Sequence, residues 1–296
     1  MGNCVSCLKC FTATTAESPL FDDVAFRRTL TPIESNPAFQ DARLCDVVIY
    51  SSHNSYIRTF QVGSTSSTDA LNIALQRGAR CLELDVFREP SAQWQVFVAH
   101  GQQKPDGNDL LGTSKLPLKD ALTFLASNAW TNTSDPLFVA LEINVHNNTI
   151  ACDAIANMII NAFAPEQLLP PGQKITPTTR IQSLCNKVVF ISGGGVSPLS
   201  KLNNYINAVW STEFQNTHHM DTQETLRFTQ GVVRIYPLGD VKGTLSLNYD
   251  PLPFLQKGAT FVSMNVCTND KHMVSYDNYF GNASILLSDP VKNTHP

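Results

Sequence analysis

The sequence predicts an α/β fold in which parallel strands close into a barrel. From Asp46 onward, short apolar runs rich in β-branched residues alternate with amphipathic stretches, and strands that alternate with helices favour a parallel sheet. The chain has 296 residues, which can bury one large core, and an α/β barrel of ordinary size would use most of that length. Length alone would also accommodate two small domains.

Eight strand candidates carry this prediction. All are short, apolar and β-branched, and they lie at 46–51, 81–86, 94–99, 137–143, 188–191, 232–236, 260–265 and 285–287. Three amphipathic stretches between them are predicted as helices. These helices span 68–76, with Thr68 as the capping residue, 117–129, which begins at a proline, and 150–163.

The stretch from 193 to 230 interrupts this alternation. It contains three consecutive glycines from Gly193 to Gly195 and the pair His218-His219. Clusters of glycine and short polar residues between periodic segments are typical of loops. We therefore expect a long connector between two halves of the barrel, with His218 and His219 as loop residues and not as metal ligands.

Composition excludes several classes of protein. The formal net charge of −4 argues against nucleic-acid binding, which usually shows a basic surplus. No apolar run approaches the ~20 residues that a bilayer-spanning helix needs, and Asn3, Ser6 and Lys9 interrupt what could be a secretory signal. The cysteines outside the N-terminus are scattered and are expected to be reduced core thiols of a cytosolic protein: Cys45, Cys81, Cys152, Cys185 and Cys267.

The first ten residues are predicted to be a lipid anchor. Removal of Met1 exposes Gly2 with Ser6 at the position that the myristoylation pattern requires. One myristoyl chain gives only marginal binding, and the second signal is expected from palmitoylation of Cys4, Cys7 and Cys10. The alternative, a Cys-x-x-Cys-x-x-Cys metal site, lacks a nearby fourth cysteine. We therefore expect residues 1–44 to form an anchor and lead-in, which would place the protein at the cytoplasmic face of the plasma membrane.

Polar side chains stand where five of the predicted segments end. In barrel enzymes the active site lies at the carboxyl ends of the strands. Each residue taken singly has a simpler explanation as a solvated cap or a loop residue, but five segments in register favour a shared site. The residues are His53, Asn54, Glu83, Asp85, His100, Glu142, Arg234 and Tyr236.

Four of these side chains offer only oxygen. Asn54 supplies an amide carbonyl, and Glu83, Asp85 and Glu142 supply carboxylates. Ca²⁺ or another hard cation prefers such ligands, whereas zinc prefers nitrogen and sulfur. Without a cation, three clustered carboxylates would raise one another's pKa. The two histidines remain available for proton transfer or for hydrogen bonds to a phosphoryl oxygen.

At this level of detail the chain resembles the eukaryotic phosphoinositide-specific phospholipases C. Similarity to their X half lies in SSHNSY at 51–56, RCLELD at 80–85, VAHG at 98–101, TSK at 113–115 and LE at 141–142. Similarity to their Y half lies in RIYPLG at 234–239, NYDPL at 248–252 and GATFVSMN at 258–265. The resemblance implies a distorted TIM (β/α)8 barrel, with an X half at 45–192, a connector at 193–230, and a Y half with the C-terminal tail at 231–296.

The resemblance also implies roles for the site residues and a phosphoinositide substrate in a membrane. The four oxygen-bearing residues would bind a catalytic Ca²⁺, and Glu142 or Glu83 would take the proton of the inositol 2-hydroxyl. His53 would stabilise the pentacovalent phosphorane, and His100 would protonate the departing diacylglycerol oxygen. Tyr236 would stack on the inositol ring, while Arg234 would bind a ring phosphate.

The chain departs from the family pattern in two respects. Accessory membrane-binding, EF-hand and C2 domains are not expected within this length, so the acylated N-terminus would take over targeting. The lysines that usually follow the last X strand are replaced by the run from Ser192 to Gly195, which predicts a weaker preference for the bisphosphate lipid.

Two other functions remain open from the sequence. A glycerophosphodiester phosphodiesterase also uses a Glu-x-Asp pair in a barrel, although it would typically show His-Arg-Gly where this chain has His53-Asn54. A catalytically impaired lipid-binding scaffold would usually have lost a histidine or a metal carboxylate, and here all of them are present.

Overall fold

The computed structural model describes residues 27–58, 63–103, 109–214, 216–219, 231–237 and 246–289. It confirms the α/β fold. The strands are β1 Val47–Ser52, β2 Cys81–Arg88, β3 Val96–Val98, β4 Gly101–Gln103, β5 Asp109–Leu111, β6 Leu116–Pro117, β7 Leu137–Ile143, β8 Val188–Ser192, β9 Ala208–Val209, β10 Asn216–His219, β11 Val233–Tyr236, β12 Phe261–Met264 and β13 Ile285–Leu287. The α-helices are α1 Thr68–Gln76, α2 Leu118–Asn128, α3 Thr149–Ala162, α4 Leu252–Gln256 and α5 Lys271–Phe280. Short 3-10 turns lie at Ile33–Ser35, Pro37–Phe39, Leu44–Asp46, Pro165–Gln167, Ile181–Leu184 and Lys201–Asn204.

Eight parallel strands form one curled sheet, in the order β10-β11-β12-β1-β2-β7-β8-β9. Because side chains alternate across a strand, one face of the sheet forms an inner core and the other face packs against the helices. The inner core includes Ile49, Phe138 and Phe261. The outer face carries Val48 and Tyr50, which belong to a second core shared with α1, α2 and α3.

The eight parallel strands are not the eight that the sequence predicted. The candidate at 94–99 contributes β3, which pairs antiparallel with β2, because the intervening turn is too short for the crossover that a parallel pair needs. The candidate at 285–287 is β13, which pairs antiparallel with β1.

Two strands inside the predicted connector take their places in the sheet. β9 pairs with β8 and β10 pairs with β11, both in parallel. His218 and His219 therefore lie in a strand, not in a loop as expected. The sequence did not indicate these strands because β9 has only two residues and β10 is entirely polar.

No pairing joins β9 to β10 within the residues that the structure describes. Instead, aromatic side chains that follow β9 fill the interior beside this edge. The Trp210 ring packs edge-on against Phe261 and lies against Phe214, with centroids 5.7 Å apart in both pairs. Both Trp210 and Phe214 are buried. The sheet is thus a distorted barrel whose open edge is packed with aromatic rings.

The three predicted helices are present, with ends within one residue of the predicted ends. The cap of α1 differs: Ser67, not Thr68, accepts a hydrogen bond from the Ala70 N–H. This agrees with the preference for a hydroxyl side chain just before the first helical residue.

The described part of the lead-in closes the bottom of the barrel, opposite the carboxyl ends of the strands. Ile33, Phe39 and Leu44 are buried and belong to the inner core. The Ile33 N–H donates to Asp135 Oδ1 at 2.8 Å, and the Leu44 N–H donates to the Thr179 carbonyl at 2.9 Å.

The five described cysteines are free thiols, two of them buried and three partly exposed. In the part of the chain that the structure covers, no helix combines the length and the apolar character needed to cross a membrane.

Candidate active site

All eight predicted site residues line one cavity of about 700 Å³ at the carboxyl ends of the strands. The strand register explains their convergence. Asp85 and Glu142 are direct partners in the parallel β2–β7 pair, and Glu83, two residues before Asp85, points to the same side. The other lining residues are Gly193, Trp210, Ser211, Pro237 and Ser246.

Arg234 connects two of the carboxylates. Its side chain is 3% exposed, with Nη2 at 2.5 Å from Glu83 Oε1 and Nη1 at 3.0 Å from Glu142 Oε1. The guanidinium carbon lies 4.8 Å from the Tyr236 ring centroid and 5.2 Å from that of Trp210. Burial alone would lower the pKa of Arg234, but the charges of Glu83 and Glu142 outweigh it and raise that pKa.

The pKa values of the three carboxyl groups are shifted in different directions. Burial favours the neutral form of all three. Arg234 and His53 nevertheless lower the pKa of Glu83. Burial and the charges of Glu83 and Glu142 raise the pKa of Asp85 well above its usual value, and burial raises the pKa of Glu142 despite Arg234. Without a further cation, Asp85 and Glu142 are therefore driven toward their neutral forms, whereas Glu83 is held as a carboxylate beside Arg234.

Tyr56 supports two of the oxygen-bearing side chains. It is fully buried, and its hydroxyl donates to Asp85 Oδ2 at 2.9 Å while lying 3.3 Å from Asn54 Oδ1. Asn54 has a φ of +43°, a conformation that asparagine tolerates better than most residues. The sequence alone assigns Tyr56 no role in the site, because an aromatic residue after a strand also suits packing.

His53 is held from both sides. Its Nδ1 lies 2.8 Å from Asn265 Oδ1, and its Nε2 lies 3.9 Å from Glu83 Oε2. The Tyr236 ring is nearly parallel to the imidazole, at 8° and with centroids 6.3 Å apart. Burial lowers the pKa of His53, although Glu83 and Asn265 act in the opposite direction. The sequence placed Asn265 only at the end of a strand and assigned it no role.

His100 enters the cavity from a loop that follows the β2–β3 hairpin. Its N–H donates to Thr113 Oγ1 at 2.8 Å, and Thr113 Oγ1 lies 2.9 Å from Ser66 Oγ. The carbonyl of His100 accepts from the Gly112 N–H. The sequence had predicted that His100 ends a barrel strand. Because β3 pairs antiparallel with β2 and is not one of the eight parallel strands, His100 instead reaches the site from this loop.

The glycine run after β8 is required by close packing against β7. A Cβ on Gly193 would lie 2.6 Å from Glu142 Oε2, and a Cβ on Gly195 would lie 2.1 Å from the Ile143 carbonyl oxygen. Gly195 also has a φ of +76°, which favours glycine. The run therefore leaves room for the Glu142 carboxylate.

The donor set fits a hard divalent cation. Asn54, Glu83, Asp85 and Glu142 would hold it through oxygen, and the raised pKa of Asp85 marks negative charge that a cation would neutralise. Among the described residues, no three His, Cys, Asp or Glu side chains are already gathered as a metal cluster. Arg234 bridges Glu83 and Glu142 instead, so a cation would have to draw these carboxylates away from the guanidinium.

Comparison with known proteins identifies the family. Residues 40–192, just over half of the chain, match the family described as "Phosphatidylinositol-specific phospholipase C, X domain". A Mus musculus protein, 1-phosphatidylinositol 4,5-bisphosphate phosphodiesterase delta-3, is 29% identical over 147 residues, which are 46% of this chain and 18% of that protein. The Saccharomyces cerevisiae 1-phosphatidylinositol 4,5-bisphosphate phosphodiesterase 1 is 25% identical over 179 residues, 60% of this chain and 19% of that protein. The chain thus spans about a fifth of the length of these relatives.

Solved structures share the fold. The crystal structure of S. officinalis PLC21 has a TM-score of 0.68 at 19% identity, covering 84% of this chain and 37% of that one. A calcium-dependent phosphoinositol-specific phospholipase C from a Pseudomonas species has a TM-score of 0.50 at 12% identity, covering 87% of this chain and 99% of that one. The family match includes β1, β2, β7 and β8, which carry or directly precede five of the eight predicted site residues, and the chain belongs to the eukaryotic-type phosphatidylinositol-specific phospholipase C X-domain family.

Proposed function

We propose that this protein is a membrane-anchored, Ca²⁺-dependent phospholipase C that cleaves phosphatidylinositol or its phosphates into diacylglycerol and inositol phosphates. One observation carries the proposal: two histidines, four oxygen-bearing side chains, Arg234 and Tyr236 all surround a single cavity. A phosphodiester needs a proton donor, a proton acceptor and positive charge at the phosphate, and this cavity contains residues suited to each task.

Asn54, Glu83, Asp85 and Glu142 would hold the Ca²⁺ ion. When bound, the ion would lower the pKa of the attacking inositol 2-hydroxyl and neutralise charge on the phosphate. Glu142 or Glu83 would take the hydroxyl proton; in support, each borders the cavity and has one carboxylate oxygen that does not contact Arg234.

The two histidines would handle the remaining protons and charge. His53 directs Nε2 toward Glu83 and, when protonated, would donate to a phosphoryl oxygen as charge builds up there. His100, whose backbone Thr113 anchors, would protonate the diacylglycerol oxygen as the phosphorus–oxygen bond breaks. It would then act as the base when water opens the cyclic phosphate.

The inositol ring would lie against Tyr236. This half-buried ring lines the cavity and lies nearly parallel to His53, and an aromatic face of this kind would stack on the sugar ring. Arg234 would bind a ring phosphate once its ion pairs with Glu83 and Glu142 loosen.

The anchor at Gly2, Cys4, Cys7 and Cys10 lies outside the described residues. Its support is the match of the first six residues to the myristoylation pattern, with three cysteines beside it. We propose that two or more acyl chains hold the protein at the cytoplasmic face of the plasma membrane, where its lipid substrate would lie.

The direct test uses purified protein and vesicles that contain phosphatidylinositol or its phosphorylated forms. Released inositol phosphates are measured with added Ca²⁺ and with excess chelator, and His100→Ala serves as the inactive control. Soluble glycerophosphodiesters are assayed in parallel. Hydrolysis of these alone would identify a glycerophosphodiesterase, and lipid binding without turnover would identify a scaffold.

A further inference from the structure

Asn265 and His53 occupy matching positions at the ends of neighbouring strands. β1 and β12 are parallel partners with Ser52 opposite Met264, and each is followed directly by one of the two residues. The His53 N–H donates to the Met264 carbonyl at 2.8 Å. The backbone thus fixes both residues at the same level, and Asn265 Oδ1 lies 2.8 Å from His53 Nδ1.

The orientation of the Asn265 amide is determined by its other contacts. Its Nδ2 donates to the Ser246 carbonyl at 2.7 Å, and a carbonyl can only accept, so the nitrogen must face Ser246. The Asn265 backbone N–H donates to Asn248 Oδ1 at 2.7 Å, and Asn248 Nδ2 donates to Asp270 Oδ2 at 3.0 Å. With Nδ2 bonded to Ser246, Oδ1 is the side-chain atom of Asn265 that faces His53.

We infer that Asn265 is a positioning residue, which holds His53 as the Nδ1–H tautomer and reserves Nε2 for the substrate. An amide oxygen is only an acceptor, so the nitrogen beside it must carry the hydrogen. The Tyr236 ring lies nearly parallel to the imidazole, with centroids 6.3 Å apart. His53 Nε2 is therefore the nitrogen that exchanges hydrogen bonds with substrate.

The inference deepens the proposed function and rests on it for what Nε2 does. While neutral, the fixed tautomer offers a lone pair at Nε2 and can only accept a hydrogen bond from the substrate. Once protonated, the same nitrogen donates to a phosphoryl oxygen. The opposite neutral tautomer would instead donate from Nε2, whereas protonation gives the same imidazolium from either tautomer. The tautomer therefore decides how neutral His53 meets the substrate.

The test reads the tautomer directly. Nitrogen NMR of protein labelled with ¹⁵N-histidine, free of lipid, distinguishes Nδ1–H from Nε2–H rings, and a His53→Gln spectrum assigns the His53 signals. We expect Nδ1–H in the wild type and in Asn265→Asp, which keeps an acceptor at this position. We expect Asn265→Leu to populate Nε2–H. Asn207→Leu is the matched control, since Asn207 is a buried amide that bonds Phe190 and Gln173, and it should leave His53 unchanged.

Activity provides the second readout. Hydrogen-bond partners of metal-ligating residues are typically worth about 10- to 100-fold. We expect the lower end of that scale for the partner of His53, so Asn265→Leu should lower kcat by about tenfold with KM nearly unchanged, and Asn265→Asp should recover part of the loss. An Nε2–H ring in the wild type, or an unchanged tautomer in folded Asn265→Leu, would overturn the inference. If Asn265→Leu does not fold, the wild-type and Asn265→Asp spectra decide. If the wild-type protein shows the expected tautomer but cleaves no phosphoinositide lipid, the proposed function is contradicted and the positioning role of Asn265 stands.

Discussion

Arg234 and Glu83 form a buried ion pair, with 2.5 Å between Nη2 and Oε1 and side-chain exposures of 3% and 7%. The same guanidinium reaches Glu142. Both carboxylates are proposed ligands of the metal, so one protein cation and one metal cation would compete for the same oxygens. A metal ion at this site would therefore have to draw Glu83 and Glu142 away from the Arg234 guanidinium.

Removal of the Arg234 charge should therefore strengthen Ca²⁺ binding. The repulsion between the guanidinium charge and a cation a few ångströms away amounts to several kcal/mol before the side chains and water rearrange. After that rearrangement we expect about 1.4 kcal/mol of binding free energy to remain, which is about tenfold in the Kd for Ca²⁺. Isothermal titration of lipid-free Arg234→Met with Ca²⁺ measures it, and Arg234→Lys, which keeps the charge, should stay close to wild type. Weaker binding in Arg234→Met would show that the guanidinium organises the carboxylates and does not compete with the ion.

Substitutions at the proton-transfer groups should abolish most turnover without unfolding the barrel. We expect His53→Ala, His100→Ala and Glu142→Gln each to reduce kcat by at least ~100-fold, the usual scale for an acid–base or electrostatic element. Initial rates on phosphatidylinositol vesicles and circular dichroism spectra check both parts. His272→Ala on α5 lies away from the cavity lining and should retain normal rates. A His100→Ala enzyme close to wild-type rate would refute the assigned proton donor.

Metal removal should be reversible. Excess chelator should abolish lipid cleavage and added Ca²⁺ should restore it, because an oxygen-only ligand set gives softer transition metals little advantage. Restoration by Ca²⁺, Mg²⁺ and Zn²⁺ at matched free concentrations is compared in the same assay. Full activity in chelator would mean that Glu83, Asp85 and Glu142 hold no required ion.

The sequence was informative about the site because the relevant residues are chemically conspicuous. Charged groups within an apolar strand, such as Glu83 and Asp85 in β2, have few reasons to be there other than chemistry. Tyr56 and Asn265 escaped notice because an aromatic or amide residue beside a strand has many structural explanations. Only the three-dimensional contacts, 2.9 Å to Asp85 and 2.8 Å to His53, distinguish a supporting role from packing.

Strand pairing was less predictable than strand location. Apolar β-branched runs indicated β3 and β13 correctly as strands, but periodicity contains no information about the direction of the partner strand. β9 and β10 lack an apolar pattern of their own, and their place follows from neighbours already in the sheet. Tertiary context, which a local pattern cannot express, decided both cases.

Membrane residence should depend on Gly2. Gly2→Ala would remove the proposed myristoylation site and with it the membrane contact that palmitoylation would need, so we expect the protein to leave the membrane fraction of cells. Joint replacement of Cys4, Cys7 and Cys10 should leave weak, reversible binding, because a single myristoyl chain is marginal. Ultracentrifugal fractionation measures both variants. A Gly2→Ala protein that still sediments with membranes would refute the lipid-anchor interpretation.

We do not expect a strong preference for the bisphosphate lipid, because the residues that line the cavity include few cations for a ring phosphate. Ser192 Oγ already bonds the Gly194 carbonyl at 2.8 Å, and Gly193 borders the Glu142 carboxylate. Lys201, one candidate to replace the missing lysines, bonds Asn157 on α3, and Lys242 lies outside the described residues.

One missing charged contact costs ~1.5–3 kcal/mol, which removes roughly a tenfold to hundredfold selectivity. We therefore expect phosphatidylinositol, its monophosphate and its bisphosphate to be cleaved at comparable rates when they are presented in matched vesicles. Arg234 would remain the main cation for a ring phosphate, so Arg234→Gln should reduce cleavage of the phosphorylated lipids more than cleavage of phosphatidylinositol. A bisphosphate preference above about a hundredfold would show that another cation takes the place of the missing lysines, and Lys242→Ala would then test the first candidate.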